Sequence, residues 1–205
     1  MNKVTCTLLS LLVVALVLGV GTAAAQDEED GIFIGYFANA NASGVPSAYL
    51  RLSNDGGSGP AGSPTPSVCA AIYVFDNAEE MVECCSCEVT PDGYLDLSVN
   101  SSLLSNILNH GTKPTRGIVE VVGNYPYPGP CNPTSYETEP GIKGWLSHVQ
   151  KGATAGTFSL TETPLTDAFN SDGGEELDYD LEETCSMVQS LGSGTGVCSC
   201  ADAGD

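Results

Sequence analysis

The sequence predicts a mainly β protein: an antiparallel β-sandwich with one short C-terminal helix, stabilised by disulfides. Three observations carry this. Short runs with alternating apolar and polar residues recur along the chain, each ended by Gly, Pro, Asn or Asp. Nine cysteines fall in 205 residues, several inside those runs. Strand-like and helix-like segments do not alternate, as they would in a parallel sheet.

The elements follow in order. Gly31–Asn39 (GIFIGYFAN) is aromatic and β-branched and predicts a first strand; Ala48–Ser53 (AYLRLS) alternates and predicts a second. Asn54–Pro66 is a Gly/Pro/Ser loop, too short for a domain linker. Val68–Phe75 and Met81–Cys87 form a hairpin around Asp76–Glu80, and Tyr94–Val99 follows the turn Thr90-Pro91-Asp92-Gly93. Asn100-Ser101-Ser102 has the chemistry of a cap for a short helix through Leu104 and Ile107. Arg116–Val122 is a strand, Gly123–Gly141 a long Pro/Tyr loop, and Ile142–Gln150 and Thr157–Thr163 are two more strands. Glu175–Leu191 places Leu177, Leu181, Cys185, Val188 and Leu191 roughly on one helix side, and Val197–Cys200 closes the chain as a short strand.

Residues 1–25 have the anatomy of a cleavable signal peptide. Met1–Lys3 give a positive start, Thr5–Val20 an apolar run, and Ala23-x-Ala25 a small-residue cleavage site before Gln26. The competing reading is a membrane anchor. The uninterrupted apolar core is shorter than the ~20 residues a span needs, and its exit is acidic rather than basic. Cys6 lies inside the apolar run, not after a small-residue site, so it does not predict a lipid anchor. Residues 26–205 then form a single disulfide-bonded β-rich domain in a secreted or periplasmic setting, with no membrane span after cleavage.

The charge is strongly negative. Six basic residues face 26 acidic ones, a net charge of −20. Such a chain repels nucleic acid phosphates and anionic membrane surfaces. It suits cations, basic proteins or neutral glycans, and it also serves plain solubility. Asp27–Asp30 form one acidic block; Asp172, Glu175, Glu176, Asp178, Asp180, Glu182 and Glu183 form another. An EF-hand loop needs Asp first and Glu twelfth. Aligning Asn170, Asp172 and Gly173 to its interior puts Ala168 first and Tyr179 last, so both key ligands are missing. A calcium site of another type stays open beside the solvated acidic face.

With Cys6 in the leader, Cys69, Cys84, Cys85, Cys87, Cys131, Cys185, Cys198 and Cys200 remain. An even set in an exported chain predicts disulfides. If Phe75 faces Met81 in the hairpin, Cys69 faces Cys87, which is the best single pair; a one-residue slip changes the partner. Neighbouring Cys84 and Cys85 point to opposite faces of a strand and serve different bridges. Cys198-Ser199-Cys200 returns to the body and ties down the tail, with Cys185 as a local partner. The competing reading is a Cys/His metal site with His110 and His148, but no second Cys-x-x-Cys completes it.

Four stretches carry a resemblance: Cys69-Ala70-Ala71-Ile72-Tyr73-Val74-Phe75-Asp76, Glu83-Cys84-Cys85-Ser86-Cys87, Trp145-Leu146-Ser147-His148-Val149-Gln150, and Leu191 through Cys200. Together with Leu97–Asn100 they resemble a family of exported bacterial proteins of unknown function, of the acidobacterial type. The Cys-Cys-x-Cys segment and the C-terminal Cys-x-Cys are its most specific parts. The resemblance covers most of residues 68–200. It implies export and a shared fold, and no activity.

No catalytic constellation is legible. Gly192-Ser193-Gly194 lacks the spacing of a nucleophile elbow, and no His-Glu-x-x-His occurs. His148 sits in an alternating strand and predicts a packed, hydrogen-bonded residue; His110 lies in a turn. With 26 acidic residues, paired carboxylates have no specificity. Trp145 predicts a core residue. Tyr125, Tyr127 and Tyr136, among prolines, form a candidate ligand loop for sugar or peptide, or cover one end of the sandwich. Gly31–Asn39 pairs within its own sheet or adds to a neighbour's. The expectation is a binding or structural envelope protein without a cofactor, whose partner is a glycan, an envelope protein or another copy of itself. The alternatives are a hydrolase with a carboxylate- or His-dependent site, and an extracellular calcium or Cys/His metal protein.

Overall fold

A computed structural model describes residues 32–56, 67–108, 112–126, 129–134, 138, 140–167 and 174–201, with backbone alone for 174–178. The leader 1–25, His110, Tyr127, Tyr136 and Asp172 lie outside the described residues. The strands are β1 (Ile32–Ala38), β2 (Tyr49–Asn54), β3 (Val68–Asp76), β4 (Met81–Val89), β5 (Tyr94–Ser98), β6 (Arg116–Asn124), β7 (Ile142–Lys151), β8 (Phe158–Pro164) and β9 (Thr166–Asp167). One α-helix, α1 (Gly174–Gly192), follows them.

The strands form two antiparallel sheets. The first has the order β4-β3-β6-β1-β9 and the second β5-β2-β7-β8. Between them lies the main core, with Phe33, Phe37, Leu50, Leu52, Ile72, Val74, Leu97, Val121 and Leu146 buried in it. A smaller cluster fills the other side of the first sheet. There Ile32, Ala71, Tyr73, Met81, Cys84 and Val122 meet Leu181, Cys185 and Val188 of α1. The layers are therefore sheet, sheet and helix. This explains the unbroken apolar run of β3, which is covered on both faces. β2 keeps its alternation because one face is open: Leu50 and Leu52 point in, Tyr49 and Arg51 out.

Two glycines let the sheets close at Leu165, which joins β8 to β9 across the sandwich. A Cβ at Gly35 would lie 2.6 Å from Leu165 Cδ2, and one at Gly144 would overlap the same side chain. The Leu165 N–H also donates to the Gly144 carbonyl at 2.8 Å.

Four disulfides are formed: Cys69–Cys131, Cys84–Cys185, Cys85–Cys198 and Cys87–Cys200. The expected pair Cys69–Cys87 is corrected, and the cause is a bulge. Phe75 does face Met81, but Val74 faces Glu83, so Val82 is an extra residue on β4. The slip sets Cys69 opposite Glu88 and Cys87 opposite Ala70, which puts the two cysteines on opposite faces. Cys87 joins the main core; Cys69 faces outward and takes Cys131. Cys84 and Cys85 do serve bridges on opposite sides of the sheet, to the helix and to the tail. Cys185 is not the tail's partner, because α1 lies over the outer side of β4 and presents it to Cys84.

The tail protects an edge. The Cys84 N–H donates to Gly196 O at 2.9 Å and Cys198 N–H to Cys84 O at 3.3 Å, so Val197 pairs in parallel beside β4. Unpaired backbone on that edge strand is thus partly covered. This bridge is all that forms of the expected Val197–Cys200 strand. β1 pairs within its own chain, with β6 along its length and with β9 at Phe33 and Ile34. The expected helix at Asn100 is a single π-type turn, Val99–Leu103, capped by the Ser98 side chain, which accepts from the Ser101 N–H.

Candidate functional site

The outer face of the second sheet is not covered by the helix, and it carries the exposed rings of Tyr94 and Trp145. Strand parity follows from the buried leucines. Because Leu50, Leu52, Leu95, Leu97 and Leu146 point inward, Tyr49, Arg51, Tyr94, Asp96 and Trp145 point outward. Trp145 is therefore not a core residue: it is 37% exposed, and Leu146 occupies the inward position beside it. Register sets Arg51 between Asp96 on one side and Trp145 on the other. The Arg51 guanidinium pairs with Asp96 at 3.6 Å and with Glu162, reaching across β7 to β8. It also lies 5.5 Å from the Tyr49 ring centroid. Two carboxylates and a ring therefore hold one cation in place on a rigid sheet. Tyr94, 59% exposed, stands on the same face one row along.

A second feature is an acidic cleft of about 290 Å³ between the first sheet and α1. Phe75, Ile118 and Leu181 supply its apolar surface, and Asp76, Glu79, Glu120 and Asp180 its charge. Burial raises the Glu120 pKa above the usual carboxylate range. One Glu120 oxygen is buried without a hydrogen-bond partner. The cleft disfavours anions, and its chemistry suits a cationic group on an apolar body.

His148 is packed, as its strand position predicts. It is 4% exposed, its Nε2 is 2.6 Å from Thr163 Oγ1, and its ring stacks on Tyr36 at 4.2 Å. Burial lowers its pKa, so the neutral ring is favoured. Its Nδ1 is buried without a partner, so it lacks the orienting carboxylate of a triad base. The sulfurs of Cys85, Cys87 and Cys200 lie within 4.8 Å of one another, but all three are committed to disulfides.

The Tyr125 loop is tied down. Cys131 bonds Cys69, the Tyr73 hydroxyl donates to Pro133 O at 2.7 Å, and Asn124 bridges Thr138. Cys131 and Pro133 so lie against the outer side of the first sheet, and Tyr125 is half-buried. Of the second acidic block, Glu182 is buried, while Asp180 and Glu183 are exposed.

One buried acid escaped sequence reasoning altogether. Glu83, fully buried on β4, accepts from the Asn106 N–H at 2.6 Å and the Ser105 hydroxyl at 3.4 Å. Burial pushes its pKa from 4.5 up to about 7, against the lowering by those hydrogen bonds and by Lys113. Between those values the folded chain holds a proton that the unfolded chain has lost. Stability therefore falls as pH rises from 4.5 to 7, by up to about 3 kcal/mol. Glu83→Gln keeps an acceptor for Asn106 and removes the titration. Urea unfolding at pH 5 and pH 8 should show this variant losing less stability than the parent across that interval. Equal losses would mean that Glu83 ionises in the fold as freely as in water.

Among the described residues no helix is long and apolar enough to cross a membrane. No family model matches the chain, no curated protein matches it, and no solved structure matches it.

Proposed function

We propose that this chain is an exported, non-enzymatic protein that acts by binding, as a component of an envelope or an extracellular structure. The observation that carries the binding role is the outer face of the second sheet, where Tyr49, exposed Tyr94 and exposed Trp145 surround a tethered Arg51. Rings and an immobilised charge on paired strands lose little entropy when a partner arrives. Export is supported by the leader anatomy of residues 1–25. It is also supported by four disulfides, which persist in oxidising compartments.

The test is expression of the whole chain in a bacterial host, with non-reducing mass spectrometry of the exported fraction. The expected mass begins at Gln26 and is lighter by two hydrogens for each of the four disulfides. Sedimentation with isolated envelope material should then retain it without turnover of that material. Full-length protein with free thiols in the cytoplasm would overturn the export reading. Hydrolysis of envelope polymer by the purified protein would overturn the non-enzymatic one.

A further inference from the structure

We propose that the outer face of the second sheet is a platform for a neutral glycan, stacked on Trp145 and Tyr94 and hydrogen-bonded by the Arg51–Asp96–Glu162 cluster. This rests on the binding role above and names its ligand class.

The chemistry of the face selects the ligand. Sugar rings offer flat C–H surfaces that stack on aromatic rings, and hydroxyl groups that suit planar, charged hydrogen-bonding side chains. Both are present on one face of the second sheet. Tyr94 and Trp145 stand two strands and one row apart, about 12 Å from strand geometry, roughly the reach of a disaccharide. Arg51 stands on β2, between the strands of Tyr94 and Trp145, with Asp96 beside it on β5, while Glu162 reaches it from β8 on the far side of Trp145. Arg51 is bound on two sides, so its remaining N–H groups are held in a fixed direction.

Charge narrows the class further. Beside the two rings Arg51 and Lys143 offset Asp96 and Glu162, so this patch is formally neutral on a chain of net charge −20, with Lys151 at the far end of β7. An acidic polysaccharide would meet the field of the whole chain and gain no local cation excess. A basic partner would find its charge in the acidic cleft, on the other side of the first sheet. A stable protein interface needs a contiguous apolar centre. Here the rings are separated by an ion-paired arginine.

Trp145 is the only tryptophan in the chain, so its emission reports on this face alone. The whole disulfide-bonded protein would be titrated with cellohexaose, xylohexaose and chitohexaose, and with oligogalacturonate as the acidic counterpart. At least one neutral oligosaccharide should shift Trp145 emission saturably. Tyr94→Ala, at an exposed position that does not endanger the fold, should weaken that response about tenfold. Tyr179→Ala on α1 should leave it unchanged. Silence toward all three neutral probes would overturn the glycan assignment; the envelope sedimentation above would still decide the broader binding role. Binding that Tyr94→Ala does not weaken would place the site elsewhere, and a response to oligogalacturonate alone would overturn the neutral class.

Discussion

Alanine at both Cys69 and Cys131 should cost about 4 kcal/mol, the largest loss among the four bridges. Sequence separation alone ranks them differently. Cys69–Cys131 spans 62 residues, whereas Cys84–Cys185 spans 101 and the two tail bridges 113 each. The bridges are not independent, however. Cys85–Cys198 already joins the regions that Cys84–Cys185 would join. With it in place, Cys84–Cys185 closes only about 14 further residues, worth about 3 kcal/mol in the chain-entropy model. The tail bridges are adjacent rungs, so either one closes about four residues once the other is present, worth about 2 kcal/mol. Nothing else shortens the Cys69–Cys131 loop, because the other bridges all leave it for the C-terminal segment. Urea unfolding of the three double-alanine variants, Cys69/Cys131, Cys84/Cys185 and Cys87/Cys200, should give losses in that order. A larger loss from the Cys84/Cys185 pair would mean that helix packing outweighs the restriction of the unfolded chain.

The strands were legible because alternation is a local property. Tyr49-Leu50-Arg51-Leu52 and Tyr94-Leu95-Asp96-Leu97 declare their inner faces without knowledge of a partner. The same parity would have put Tyr49, Tyr94, Arg51 and Asp96 on one outer surface. Which strands pair, and so which outward positions share a surface, is set by the fold and not by any local pattern. Trp145 shows the cost of judging by residue type: a lone tryptophan suggests a core, yet the neighbouring Leu146 takes the inward position. The disulfides were illegible for another reason. One extra residue, Val82, reverses the side on which Cys69 stands relative to Cys87. No local signal marks a bulge among residues that all suit a strand. Glu83 had no signal either, since its burial depends on the segment of Ser105 and Asn106 folding over it.

Alanine at Gly117 should cost about 3 kcal/mol or more, because its site has neither space nor a soft neighbour. Gly117 sits in β6 between Phe37 of β1 and Asp76 of β3. A Cβ there would overlap the carbonyl oxygen of Phe75 and stand 2.7 Å from Phe37 Cζ. The carbonyl is backbone in a paired strand and cannot swing aside without breaking the ladder. The Phe37 ring is 1% exposed and packed in the main core, so it too has no vacant position. Relief requires β6 to part from β3, which breaks the ladder of the first sheet, or Phe37 to leave the core, which loses packing between the two sheets. Gly129 supplies the control. A Cβ there meets nothing within 4 Å and its φ is not in the left-handed region. Gly129→Ala should therefore change stability by no more than about 0.5 kcal/mol, with any shift toward stabilisation because alanine restricts the unfolded chain. Urea unfolding of both variants separates the steric effect from the loss of glycine as such. If Gly117→Ala unfolds at the same urea concentration as Gly129→Ala, then β6 can yield at this point without loss, and the Phe37–Gly117 contact is not what fixes β1 in its register.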